Sequence, residues 1–136
     1  MRAYAVIDIG GTAIKYGCAT EEGQFLEKAS RPTRAGAVSI PDAVLAIVKD
    51  MAARHELAGI AIDTAGIVRP GEDGEIVFAG ETTFPGYSGT KLGRIVRETM
   101  QLPVLVENDV TAAALGEVWR GAARGASSAF RITVGT

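Results

Sequence analysis

The sequence of 136 residues predicts an α/β fold, and three observations lead to it. Three short apolar segments near the start are separated by turns rich in glycine, which is typical of an antiparallel meander. Further along, helical patterns alternate with apolar strands, and this alternation favours parallel strands joined by right-handed crossovers. Apolar residues make up 47% of the chain and charged residues 22%, so one packed core is expected without disulfides or metals.

Each predicted element follows from a local pattern. Near-continuous apolar runs or alternating ones predict strands at 3–9, 13–19, 25–31, 59–64, 75–79, 104–107 and 129–134. Apolar residues spaced by three and four predict helices at 41–55, at 91–100, and from 108 or 109 to 120. No linker divides the chain, so we expect one domain.

Composition excludes several classes of function. A net charge of −2 and a pI of about 5.4 argue against nucleic-acid binding. Lys91, Arg94 and Arg97 share a helical spacing that is interpreted as a solvated face. Cys18 and His55 are the single residues of their kinds, so neither a disulfide nor a zinc site is expected. The sequence shows no secretion signal or membrane span, and the expected location is the cytoplasm.

The segment DIGGTAIK at 8–15 is the first candidate site. Its two glycines allow a bulky anion to approach the backbone, and successive N–H groups of such a turn bind anions. Asp8 could orient the water shell of Mg²⁺, which takes only one or two carboxylates. The segment matches neither the Walker pattern nor the dinucleotide fingerprint. The alternative is a plain tight turn between two strands.

The segment ENDVTAAA at 107–114 is the second candidate. Its polar residues follow a buried strand, where open α/β sheets bind their ligands. Asn108 offers a donor and an acceptor that suit a sugar hydroxyl, and Asp109 offers a carboxylate for proton abstraction. Helix capping is the alternative, because Asn and Asp are favoured at that position.

Two weaker candidates are TAG at 64–66 and TTFPGY at 82–87. In the first, Gly66 could let a ligand lie against the backbone. The second mixes hydroxyls with two aromatic rings, as a sugar pocket would. A simple turn is the alternative for the first segment.

Taken together, these segments resemble the ROK family, named for repressors, open reading frames and kinases, within the actin-like ATPase and sugar-kinase superfamily. The matching segments occur in the family's order at 8–15, 64–68, 84–87, 107–117 and 133–136. The resemblance implies a ribonuclease H-like/actin-like α/β domain. Its mixed five-stranded sheet would hold an antiparallel meander of three strands, then parallel strands, with helices on both faces.

The resemblance also implies roles for individual residues, with ATP and Mg²⁺ as cofactors. Asp109 would be the catalytic base. The phosphate-binding residues would be Asp8, Gly10, Gly11, Thr12, Lys15, Gly135 and Thr136, with Asp8 holding Mg²⁺ through water. The sugar-binding residues would be Gly66, Thr83, Asn108 and Asp109. Many members carry Asn in place of Thr83 and Trp in place of Tyr87. These two departures do not specify which sugar is bound, and in them the sequence has some likeness to β-glucoside kinases.

The function expected from this resemblance is ATP-dependent phosphorylation of a sugar hydroxyl, as in glucokinases. The chain would be the amino-terminal lobe, inactive without the carboxy-terminal lobe that carries the adenine pocket and a zinc cluster. One alternative is a sugar-responsive transcriptional regulator, although no DNA-binding domain precedes Asp8 in this sequence. The other is a sugar- or nucleotide-binding module without catalysis. The exposed strand edges would allow two copies of the chain to pair as a homodimer.

Overall fold

The computed structural model of the protein describes residues 2–33 and 38–134. Seven strands and three helices follow one another along these described residues. The strands are β1 (Ala3–Ile9), β2 (Ala13–Thr20), β3 (Phe25–Pro32), β4 (Leu57–Thr64), β5 (Ile67–Val68), β6 (Ile76–Phe78) and β7 (Val104–Asn108). The helices are α1 (Ile40–Ala52), α2 (Leu92–Met100) and α3 (Asp109–Arg120).

The main sheet has five strands in the order β3-β2-β1-β4-β7. The pairs β1–β2 and β2–β3 are antiparallel, whereas β1–β4 and β4–β7 are parallel. The predicted mixed five-stranded sheet, with its opening meander, is therefore confirmed. Strands β5 and β6 form a separate antiparallel pair.

The core lies between one face of the sheet and helices α1 and α2. Strand β1 alternates, with Ala5, Ile7 and Ile9 buried and the residues between them partly exposed. Helix α1 is capped by Ser39, whose hydroxyl accepts a hydrogen bond from the Asp42 N–H, and it buries its apolar stripe against this face.

The second face of the sheet is covered only in part, by α3. The indole ring of Trp119 packs beside Gly23 at the β2–β3 turn, and it lines a groove of about 930 Å³ with Tyr4 and Val6. Helices thus lie on both faces, as predicted. No helix formed by the described residues combines the length and apolarity that a bilayer crossing requires.

Three predictions of local structure need correction or refinement. The final strand predicted at 129–134 is wrong, because these residues form no strand and Phe130 and Ile132 are 89% and 72% exposed. Their alternating pattern is that of a strand, but no described strand pairs with them. Helix α1 ends at Ala52, before the predicted 55. Strand β5, only two residues long, was not predicted.

The basic row and the single cysteine behave as the sequence indicates. Lys91 and Arg94 are about half exposed and approach the Asp73 carboxylate at 3.9 and 3.1 Å, and Arg97 donates to a backbone carbonyl of the same loop. Cys18 is fully buried. The basic helix face is therefore exposed to solvent and also paired with the loop at 72–73, and the Cys18 thiol lies in the core.

A charged cluster connects strand β3 of the meander to the residues that follow α1. A first testable prediction comes from this cluster. Arg54 Nε and Nη2 donate to the two carboxylate oxygens of Glu27 at 3.2 and 2.7 Å, and His55 Nε2 lies 2.9 Å from Oε2. These contacts lower the Glu27 pKa from 4.5 to about 2. The carboxylate therefore stabilises the fold above pH 4.5, and this contribution is lost as the pH falls toward 2.

We expect Glu27→Gln to lower the free energy of unfolding by about 1 kcal/mol at pH 7, since the pair is partly exposed to solvent. Thermal unfolding at pH 7 and pH 3 measures this, and the deficit should shrink at pH 3. Glu21→Gln is the matched control, because Glu21 pairs with Arg2 at 3.2 Å on the exposed surface. Equal effects of the two substitutions at both pH values would contradict the prediction.

Candidate functional site

Polar side chains form one row across the second face of the sheet. The strand register places Ser30, Lys15, Asp8, Asp63 and Glu107 side by side on five neighbouring strands. Paired residues of neighbouring strands share a face, so all five point away from the α1/α2 core. The row lies near the carboxyl ends of β1, β4 and β7, where parallel strands present their ligand crevice.

Asp8 and Asp63 form a carboxyl pair at the centre of this row. The pKa of Asp63 is raised to about 8, first by burial, then by its hydrogen bond to Asp8 and by the negative charges of Asp8 and Asp109. The strand register pairs Asn108 with Thr64 and Thr64 with Ile9, so the start of α3 and the end of β1 lie at the same edge of the sheet. Asp63 was not predicted as a site residue, although an acid inside an otherwise apolar strand was a signal in the sequence.

The turn at 10–12 is held by tight backbone packing. The Gly10 N–H donates to the Ala13 carbonyl at 3.0 Å, and a Cβ atom on Gly10 would lie 3.0 Å from that same oxygen. A Cβ on Gly11 would lie 3.1 Å from Thr83 Cγ2. Side chains at these two positions would therefore crowd their neighbours, and the contact brings Thr83 against the turn.

Asn108 caps α3 and also joins two strand ends. Its Oδ1 accepts hydrogen bonds from the N–H groups of Val110 and Thr111 at 3.0 and 3.3 Å, and its Nδ2 donates to the Gly66 carbonyl at 2.6 Å. The capping alternative raised by the sequence is therefore realised. Contact of Asn108 with a sugar stays a prediction. The second N–H of its side-chain amide is the group that would donate to a sugar hydroxyl.

Gly66 has a backbone conformation that glycine favours, with φ at +100°. A Cβ there would lie 2.6 Å from the Phe78 carbonyl oxygen. Packing alone thus accounts for this glycine, and its predicted backbone contact with a sugar stays a prediction.

Asp109 is the first residue of α3 and is not its cap. Its Oδ1 accepts a hydrogen bond from the Val110 N–H at 2.9 Å, and the side chain is partly exposed. No described residue bonds to its Oδ2, which leaves that oxygen for a proton from a ligand.

The two aromatic residues of the loop at 82–87 differ in place: Phe84 lines a cavity of about 420 Å³ with Thr33 and Thr83, whereas Tyr87 lies in the core. Phe84 and Tyr87 are 6% and 2% exposed, with ring centroids 5.5 Å apart. The Tyr87 hydroxyl lies 2.9 Å from Thr64 Oγ1, and burial raises its pKa to about 12. The rings pack into the core because burial of their apolar area outweighs exposure in a short loop.

The predicted Mg²⁺ position fits the side chains present. Asp8 and Asp63 offer carboxylate oxygens on adjacent strands, and oxygen is the ligand that Mg²⁺ prefers. Within the described residues, no group of three or more His, Cys, Asp or Glu side chains could hold a metal. Gly135 and Thr136, predicted to start a second phosphate segment, lie outside the described residues.

The fold and the row of polar residues define an α/β domain of the kind found in actin-like sugar kinases. The structure superposes on a ROK family glucokinase from Streptomyces griseus, solved with glucose and AMPPNP, with a TM-score of 0.77 and 34% sequence identity. The superposition covers 90% of this chain and 38% of that one.

Residues 4–136 match the model of the ROK family, and the chain belongs to that family. It is 46% identical over its whole length to a protein of Clostridium perfringens whose function is uncharacterised. It is also 34% identical to a glucokinase of Halalkalibacterium halodurans, over 99% of this chain. The chain spans 46% and 42% of the length of these two relatives.

Proposed function

We propose that the full-length protein containing this chain, as its amino-terminal lobe, transfers the γ-phosphoryl group of ATP to a sugar hydroxyl. The observation that supports it best is the strand register, which sets Asp109 and the Asp8–Asp63 pair at one edge of the sheet, beside the glycine turn. Asp109, as the base for the sugar hydroxyl, and the turn at 10–12, as the binding site for the ATP phosphates, would thus lie in one crevice. Similarity to glucokinases makes glucose or a related hexose the first acceptor to test.

In this proposal, Asp109 accepts the proton of the sugar hydroxyl as that oxygen forms a bond to the γ-phosphorus. The bond from that phosphorus to the oxygen of the β-phosphate breaks, and ADP leaves. Phosphoryl transfer depends mainly on alignment and charge neutralisation, so a carboxylate of ordinary basicity suffices. Asp109 lies in the first turn of α3, where the partial positive charge of the helix amino terminus is close to its side chain.

The phosphates would lie against the backbone of residues 10–12, with Lys15 supplying positive charge from the next strand. Lys15 is exposed and pairs in register with Asp8, so its ammonium group can reach the crevice. Mg²⁺, held by Asp8 through water, would neutralise phosphate charge. Gly66, Thr83 and Asn108 surround the place proposed for the sugar, and the protein would work in the cytoplasm, where ATP is present.

The deciding experiment is a coupled ADP-release assay on the full-length protein with MgATP and a panel of hexoses. Release of ADP that depends on one sugar supports the proposal and names the acceptor. If the protein binds a sugar but releases no ADP with any of them, the noncatalytic alternative is correct.

A further inference from the structure

Thr33, at the end of β3, makes two hydrogen bonds to the glycine turn. Its Oγ1 donates to the Gly10 carbonyl at 2.7 Å, and its N–H donates to the Thr12 carbonyl at 3.0 Å. The residue is 2% exposed and is one of three buried polar residues among those described, with Thr20 and Thr64. One buried residue thus binds the carbonyls on both sides of Gly11.

These two bonds fix the direction of two peptide groups, the one between Gly10 and Gly11 and the one between Thr12 and Ala13. A trans peptide group is planar, and its C=O and N–H point in opposite directions. When the Gly10 carbonyl is held toward Thr33, the Gly11 N–H must point away from Thr33. The Gly11 and Thr12 N–H groups make no hydrogen bond to residues 2–33 or 38–134.

The electrostatic consequence favours an anion. A carbonyl oxygen carries partial negative charge and repels phosphate, whereas an N–H group attracts it. Thr33 holds the Gly10 and Thr12 carbonyl oxygens away from the open side of the turn, and among the described residues neither the Gly11 nor the Thr12 N–H has a hydrogen-bond partner. Glycine at 10 and 11 cannot hold this arrangement alone, because it is the residue with the greatest backbone freedom.

We infer that Thr33 is a positioning residue for the nucleotide phosphates, which holds the turn at 10–12 with its N–H groups directed at the anion. This inference rests on the proposed function and assigns to Thr33 a part in binding ATP and none in binding the sugar. The signal in the sequence was slight, a lone threonine beyond the end of a predicted strand.

The test is Thr33→Val in the full-length protein, which removes the hydroxyl but keeps the backbone bond to Thr12. We expect the KM for MgATP to rise about tenfold, because one buried hydrogen bond that orients a binding group is lost. The KM for the sugar should stay within about twofold of that of the wild type. Thr33→Ser keeps the hydroxyl and should restore the KM for MgATP. Should the valine variant fail to fold, Thr33→Ala removes the same hydroxyl with less bulk.

Thr20→Val is the matched control, since Thr20 is a buried threonine whose hydroxyl accepts from the Gln24 N–H at the far end of β2. It should leave both KM values within about twofold of wild type. An unchanged KM for MgATP in Thr33→Val, or equal rises for ATP and sugar, overturns the inference while the kinase assignment stands.

If the wild-type protein shows no turnover, the proposed function fails, and binding of mant-ADP measured by fluorescence tests Thr33 separately. Weaker binding by Thr33→Val, with wild-type binding by Thr33→Ser, supports the positioning role. Equal binding by all three proteins, or no binding by the wild type, overturns it.

Discussion

Asp109→Asn in the full-length protein should lower kcat for sugar phosphorylation by about 10²–10⁴-fold, the usual contribution of a general base. The amide keeps the size of the side chain and an oxygen for the Val110 N–H, but it cannot take the proton of the sugar hydroxyl. Sugar affinity should change little, because the substitution is isosteric. Initial rates at saturating MgATP and titration calorimetry with the sugar measure the two quantities.

Asp42→Asn is the control matched to this change, since Asp42 also lies in the first turn of a helix that Ser39 caps. It loses a similar interaction with the helix dipole but lies outside the crevice, so its kcat should stay near that of the wild type. Retained turnover in Asp109→Asn would remove Asp109 from its proposed role. A drop shared equally with Asp42→Asn would point to helix stability instead.

The sheet could be predicted from the sequence because its signals are local. Alternating burial in β1, the glycine turn at 10–12 and the helical spacing in α1 each fall within about a dozen residues. Strand order then follows from connection rules for meanders and crossovers. The strand prediction at 129–134 was wrong because strand formation there needs a non-local partner. An alternating pattern shows which residues a strand could bury, but not whether a neighbouring strand is present to pair with it.

The candidate site was predictable only in part, because its contacts join residues distant in sequence. Thr33 and Gly10 are 23 positions apart, and Asn108 and Gly66 are 42 apart. Motifs predicted the glycines and Asp109 as site residues, but the pairing of Asp8 with Asp63 depends on the register of two parallel strands. Register is set by the packed core, which no short segment of sequence specifies.

The Asp8–Asp63 pair should make stability depend on pH in an unusual direction. The folded-state pKa of Asp63 is raised to about 8, above its unfolded value of about 3.9. Between these values the folded protein holds a proton that the unfolded chain has released, so stability falls as the pH rises from about 4 to 8. Asp63→Asn replaces that protonated carboxyl with an amide that can still donate to Asp8.

We therefore expect Asp63→Asn to raise the thermal midpoint at pH 8 by several degrees, corresponding to about 2 kcal/mol after allowance for partial exposure, and to change it little near pH 4. Thermal unfolding of the full-length protein and the variant in EDTA, at unit steps from pH 4 to pH 8, measures this difference. Asp42→Asn controls for removal of a carboxylate at an exposed position and should show no such trend. A difference between Asp63→Asn and wild type that stays constant over this range would show that the pKa of Asp63 is not raised in the folded protein, and that burial beside Asp8 does not hold a proton on it.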